Sequence, residues 1–266
     1  MTILKIKNSF NAPVYYEETV SSTMDVSRKL ARENLPHGSV ILADFQSAGR
    51  GRKDERRWEM KRGENLSFTV LLRYSCIEKI PSAITLRAGL AVCLAIEDFA
   101  PCLQSSCLVK WPNDILIKSA SGEDYKKAVG ILCEAEGGNV HLGIGVNTAQ
   151  KEFPFHLLEK ATSIALSAQR DISQDERFAL LENILSRLCS ELETADGETW
   201  KPRLEDRLYK KGEQVSFIEG VADSGKEIRG CLTGITNAGE LLIVPDGEEQ
   251  ARSFITGELV MFKHYS

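Results

Sequence analysis

The chain has 266 residues, of which 42% are hydrophobic and 27% charged, with a formal net charge of −5. Those proportions belong to a folded globular protein and exclude a disordered one, while the acidic balance speaks against a dedicated nucleic-acid binder. No apolar run approaches the ~20 residues needed to span a bilayer, and the start MTILKIKNSFNAP is too polar for a secretory signal, so a cytoplasmic protein with no membrane partner is expected.

In chain order, Val14–Tyr16 reads as a strand. Ser22-Thr23-Met24-Asp25 opens a helix whose partial stripe is Met24, Val26, Leu30 and Ala31, and Pro36-His37-Gly38 stops it. Val40–Phe45 is a buried strand. Residues 46–58, QSAGRGRKDERRW, carry neither period and read as a long basic loop. Asn65–Arg73 alternates, with Leu66, Phe68, Val70 and Leu72 on one face. Pro81–Phe99 has helical spacing, with the proline near the first turn. Leu108–Trp111, Ile115–Ile117, Val129–Glu136 and Val140–Val146 then form a mixed or antiparallel meander joined by polar turns. Ser173–Glu193 is an amphipathic helix with a Ser173/Glu176 capping box and Phe178, Leu181, Leu185, Leu188 and Leu192 in register.

Near Tyr209 the texture changes to short apolar runs separated by glycine turns: Gln214–Ile218, Gly230–Ile235, Glu240–Val244, Ala251–Ile255 and Leu259–Phe262. This pattern predicts a small five-stranded β-barrel. The fold class is therefore α+β, a mixed or antiparallel sheet with packed helices over residues 1–208 and the small barrel over residues 209–266.

Seven cysteines, odd in number and scattered without a CxxC, predict buried thiols rather than disulfides or a zinc site. The four histidines have no metal-type spacing. Chemistry must come from elsewhere, and three stretches carry it. Between Gly49 and Arg62 seven basic residues face three acids, so an acidic protein holds one strongly positive loop. Such a run is ordinarily a solvated surface, but glycines beside arginines also suit an anion. Lys110-Trp111-Pro112-Asn113-Asp114 sets an amide and a carboxylate on a proline turn, where the carboxylate suits a hard cation. Lys127-Ala-Val-Gly130 and Leu142-Gly143-Ile-Gly145-Val-Asn147 put small residues inside strands, which leaves a slot for a ligand.

The order of these pieces resembles the biotin protein ligases: Ser-Thr, then Gln46-x-Ala-Gly49-Arg50-Gly51-Arg52 with Trp58, Lys-Trp-Pro-Asn-Asp, Lys127-x-x-Gly130 and Gly143-x-Gly-x-Asn147. The likeness covers roughly residues 14–266 and implies the biotin/lipoate ligase-like catalytic domain with an SH3-like C-terminal barrel. It implies activation of biotin by ATP as biotinyl-5′-AMP and transfer to a lysine of a biotin carboxyl carrier domain of a carboxylase. The alternatives are a lipoate-type carboxylate ligase and a non-catalytic biotin-binding regulator.

By the resemblance, Arg52, Lys127 and Arg50 are catalytic. Biotin would meet Ser22, Thr23, Met24, Gln46, Gly49, Arg50, Gly51, Arg52, Lys127, Gly130 and Gly143. ATP would meet Arg52, Arg56, Trp58, Asn113, Lys127 and Asn147, and Asp114 would contact Mg²⁺. Two departures stand out. The family usually writes GRGRxGRxW, whereas this chain has GRGRKDERRW, and Val129 occupies a position often held by a smaller residue. Many bacterial relatives begin with a DNA-binding helix-turn-helix domain; here the Ser-Thr pair falls at residue 22, so no DNA partner is expected. The protein is expected to act as a monomer or homodimer.

Overall fold

The structure, a computed structural model, describes residues 1–52, 57–122, 124–194, 199–220 and 225–261. Eight strands build the main sheet: β1 (Thr2–Leu4), β2 (Val14–Val20), β3 (Ser39–Gln46), β4 (Leu66–Arg73), β5 (Cys107–Lys110), β6 (Asp114–Lys118), β7 (Tyr125–Glu136) and β8 (Asn139–Val146). They lie in the order β1-β2-β3-β4-β8-β7-β6-β5. Only β2 and β3 run parallel, because helix α1 (Thr23–Ala31) makes the crossover between them. The rest is the antiparallel meander the polar turns imply.

The alternation of β4 divides the sheet into two faces. Phe68 and Val70 pair with Ile144 and Leu142, and that face packs into the core with α2 (Ile84–Phe99) and α4 (Gln174–Cys189). Ser67 and Thr69 pair with Gly145 and Gly143 on the opposite face, which α1 partly covers. One face is therefore filled with branched side chains, while the other carries a strip of small residues.

Several boundaries differ from the sequence reading. β1 is an unanticipated edge strand, and β2 extends to Val20. Helix α2 begins at Ile84, after Ala83 in a left-handed conformation, so Pro81 lies outside its first turn. Ile77–Phe99 is apolar enough by length and composition to cross a membrane, although no unbroken apolar run in the sequence is that long, and most of it is buried. Its helix packs on β5, β7 and α4 as a core element. α4 carries the capping box, with Ser173 and Glu176 satisfying each other's backbone N–H groups. Its buried stripe runs through Leu180, Leu181, Ile184, Leu185 and Leu188; Phe178 is half-buried beside it, and a π-helical turn, Ser190–Thr194, follows.

After the short helices α3 (Ile164–Ser167) and α5 (Trp200–Glu205) comes the second sheet: β9 (Gln214–Glu219), β10 (Lys226–Ile235), β11 (Leu241–Pro245), β12 (Arg252–Phe254) and β13 (Gly257–Leu259). All pairings are antiparallel, in the order β12-β11-β10-β9-β13. The last strand starts two residues earlier than its apolar run, because Gly257 already pairs with Glu219. This module seats on the first through Trp111. The Trp111 indole N–H donates to the Gly239 carbonyl at 2.9 Å, and its ring lies 5.9 Å from that of Phe217, in a core continuous across both sheets.

Candidate active site

A cavity of about 780 Å³ opens over the small-residue strip. Its floor is set by glycines whose missing side chains make room. A Cβ on Gly145 would lie 2.5 Å from the Trp58 ring, one on Gly130 3.1 Å from it, and one on Gly143 2.8 Å from Met24 Sδ. Trp58 therefore rests across two neighbouring strands that only glycine lets it approach. Its indole N–H is buried and meets no acceptor among the described residues.

One end of the cavity is built by α1. Ser22 is the helix N-cap, and its hydroxyl accepts from the Met24 N–H. The Thr23 N–H donates to Gln46 Oε1 at 2.8 Å, and the Thr23 hydroxyl donates to the same oxygen at 3.2 Å. Because that oxygen takes both donors, the amide NH₂ of Gln46 is the group left to meet a ligand acceptor. Thr69 donates its own hydroxyl to Thr23, which ties the pair to the sheet.

The other end holds the charges. The apolar run Val129–Glu136 leaves Lys127 outside the strand, whereas β7 begins at Tyr125 and Lys127 is its third residue. In an unbroken strand, Lys127 and Gly130 would face opposite sides. The β6–β7 register slips between Ile115 and Leu116, leaving Ala128 as the extra residue of a bulge. Lys127 thereby shares the face of Gly130, and its Nζ lies 2.6 Å from Asp114 Oδ1. The bulge is held by neighbours: the Asn147 N–H donates to the Ala128 carbonyl, and Lys127 exchanges backbone hydrogen bonds with Lys160 and Thr162.

Of the residues singled out from the sequence, Ser22, Thr23, Met24, Gln46, Arg50, Gly51, Arg52, Trp58, Asn113, Asp114, Lys127, Gly130 and Gly143 all line this one cavity. Arg56 lies outside the described residues. Gly49 and Asn147 are not on the wall. Gly49 instead brings the loop back on itself, accepting from the Trp58 N–H at 3.1 Å. Asn147 is buried behind the wall and donates its amide to the Thr162 carbonyl. Asn113 similarly spends its amide on the Ile131 carbonyl, so it fixes the turn. Arg50 turns its guanidinium to Asp25 at 2.9 Å and toward Glu134 at 3.8 Å, away from the Lys127 end.

Two parts of the wall were missed. Residues 156–161 supply His156, Leu157 and Lys160, and the second module supplies Ile218 and residues 258–261. Neither contains a motif; the backbone pairing of residues 160–162 with Lys127 brings the first in. The second arrives through module docking, and Arg52 marks the junction by donating to the Gly257 carbonyl at 2.8 Å. Among the described residues no group of three or more His, Cys, Asp or Glu is placed to cage a metal.

Comparison with known proteins sharpens the class. The fold superposes on the biotin protein ligase of Aquifex aeolicus, solved in complex with biotin and ATP, with a TM-score of 0.75 and 26% identity, covering 93% of this chain and 97% of that one. The bifunctional ligase/repressor BirA of Bacillus subtilis is 37% identical over 184 residues, 66% of this chain and 52% of that protein. The biotin--[acetyl-CoA-carboxylase] ligase of Mycobacterium tuberculosis is 29% identical over 180 residues, 66% of this chain and 60% of that one. The chain thus spans about half the length of the Bacillus relative it matches. Residues 16–148 match the biotin/lipoate A/B protein ligase family, and the chain belongs to that family.

Proposed function

We propose that the protein is an ATP-dependent ligase that converts biotin to biotinyl-5′-AMP and transfers the biotinyl group to a lysine of a biotin carboxyl carrier domain. The observation that carries this reading is the convergence of Arg52 and Lys127, from separate stretches, on one cavity whose far end presents the Gln46 amide and Thr23 hydroxyl. A ureido ring offers one acceptor and two donors, which suits that polar end. The relatives named for biotin ligation, and the Aquifex enzyme solved with biotin and ATP, support the same choice of substrates.

The reaction must bring a carboxylate oxygen onto the α-phosphorus of ATP while the bond to pyrophosphate breaks. Both partners are anions, so the barrier is largely electrostatic. Fixed cations aimed at the junction lower it most when water is kept out. Of the cations in the wall, we assign that task to Lys127, beside the glycine strip that Trp58 covers, and to Arg52. In the second step the carrier amine attacks the acyl carbon, the bond to AMP breaks, and the amine loses a proton. No enzyme nucleophile is needed.

Asp114 fits a magnesium ion that arrives with ATP as part of the substrate. Asp114 would supply one carboxylate, as is usual where phosphates complete the coordination, and the ion would neutralise phosphate charge there. Lys127 pairs with that carboxylate at 2.6 Å.

The test is incubation with ATP, Mg²⁺, biotin and a biotin carboxyl carrier domain. One biotinyl group on a single carrier lysine is the expected mass-spectrometric result. Exchange of pyrophosphate with ATP driven by lipoate but not by biotin would assign the lipoate-type ligase instead. Tight biotin binding with neither exchange nor transfer would leave a regulator.

A further inference from the structure

Four charged residues beside the cavity form a closed network. Asp25, in the first turn of α1, accepts from Arg28 at 2.7 Å and from Arg50 at 2.9 Å. Glu134, on β7, pairs with Arg28 and lies 3.8 Å from Arg50. Two guanidiniums and two carboxylates thus join the helix carrying Ser22–Met24, the strand carrying Lys127 and Gly130, and the glycine–arginine loop. Their side chains are all between 27% and 45% exposed, and pairs this wet add little to the stability of a fold.

Their placement has a mechanical consequence. The Gly49 carbonyl accepts from the Trp58 N–H, and Arg50 bridges Arg57, so the two limbs of the loop move together. Trp58 is the ring over Gly130 and Gly145, and Arg52, two residues beyond Arg50, reaches Gly257 of the second module. Beyond the loop base, where Ser47 and Ala48 donate to the Val20 and Ser21 carbonyls, Arg50 is a side-chain point at which this assembly is fastened to the main sheet and α1.

We propose that Asp25 and Glu134 are positioning residues that, together with Arg28, fasten Arg50 and so hold residues 49–52 and Trp58 over the cavity, setting how long an activated acyl-adenylate is retained. This rests on the ligase reading above for the identity of the ligand, though not for the fastening itself. Because the bonds are charged and exposed, the fastening weakens with ionic strength.

The test is the Asp25→Asn/Glu134→Gln double variant, which keeps every trypsin site of the loop. Without ligand, trypsin is expected to cut after Arg50, Arg52 or Arg57 about fivefold faster, the scale of a few exposed ion pairs. With biotinyl-AMP formed in place from labelled biotin and MgATP and then chased with unlabelled biotin, label is expected to leave about fivefold faster. About 1 M salt should bring the unmutated chain close to the variant, since screening then acts within ~3 Å. Asp25→Glu, which keeps the carboxylate, should keep release slow. The thermal midpoint should stay unchanged, because exposed pairs add little to the stability of the fold, and faster release at an unchanged midpoint is what a merely structural role would not produce. If the variant's midpoint falls, Asp25→Asn alone is read in its place. Cleavage and release both within about twofold of the unmutated chain, a difference too small for the lost pairs, overturn the proposal. Faster cleavage with unaltered release overturns its ligand-retaining part. Faster cleavage in a protein whose unmutated form makes no biotinyl-AMP leaves the fastening standing and refutes the ligase reading.

Discussion

Lys127 Nζ and Asp114 Oδ1 sit 2.6 Å apart on adjacent strands because a one-residue bulge at Ala128 turns the lysine onto the cavity face. The ion pair therefore depends on a backbone irregularity as much as on the two side chains. Removing the ammonium should remove a pre-placed cation from the reacting junction. Lys127→Ala is expected to slow biotin-dependent ATP–pyrophosphate exchange about 10²–10³-fold, as loss of one pre-organised donor does elsewhere. Asp114→Ala should raise the magnesium concentration needed for half-maximal exchange.

The glycine strip is a steric requirement. A Cβ at position 145 would come within 2.5 Å of the Trp58 ring, and that ring is not a flexible chain end. Gly145→Val is expected to displace Trp58 and raise KM for ATP about tenfold, near the cost of one lost ring contact. Tryptophan fluorescence should shift in Gly145→Val, and adding Gly145→Val to Trp58→Phe should leave the Trp58→Phe spectrum unchanged. An unshifted spectrum in the single variant would contradict the contact.

Trp111 joins the two modules. Trp111→Phe keeps most of the ring but loses the donor to Gly239 and should cost about 1 kcal/mol in urea unfolding. Trp111→Ala empties a nearly fully buried site and should cost about 3–5 kcal/mol. Arg52 meets its Gly257 acceptor only when the modules are docked, so both variants should also lose exchange activity in that order.

His141 is buried against the Ser27 hydroxyl at 2.8 Å. Burial, with Arg28 nearby, pushes its pKa below the ordinary 6.5. The unfolded chain then binds the extra proton first, so stability contributed by neutral His141 is complete above pH 6.5 and is lost as the pH falls toward the depressed folded value. His141→Gln should flatten the acid side of the unfolding free-energy profile between pH 6.5 and that value. An identical slope in the variant would contradict the assignment.

The thiols separate by burial. Cys76 and Cys102 are exposed, whereas burial pushes Cys107 up to about 12 and Cys133 up to about 11 and raises Cys93 well above its ordinary value. Alkylation at neutral pH should therefore label Cys76 and Cys102 first, and Cys93 and Cys107 only on unfolding, as peptide mapping would show.

The sequence by itself determined much of this protein. Alternation in residues 65–73, helical spacing in 173–193 and the glycine-punctuated runs after Tyr209 are local signals, since period and turn chemistry are properties of neighbouring residues. The ordered motifs picked out thirteen of the residues that line the cavity, because side chains that meet one ligand are constrained in type wherever they lie in the chain. Tertiary structure alone decided how each of them is turned within the cavity wall. Arg50 looks like Arg52 in the sequence, yet one turns to Asp25 and Glu134 while the other reaches Gly257. The bulge that aims Lys127, the wall from residues 156–161 and the contribution of residues 258–261 all arise from pairings between distant segments. A register slip or a docked module leaves no mark on the local pattern, since its energy is shared between residues far apart in the chain.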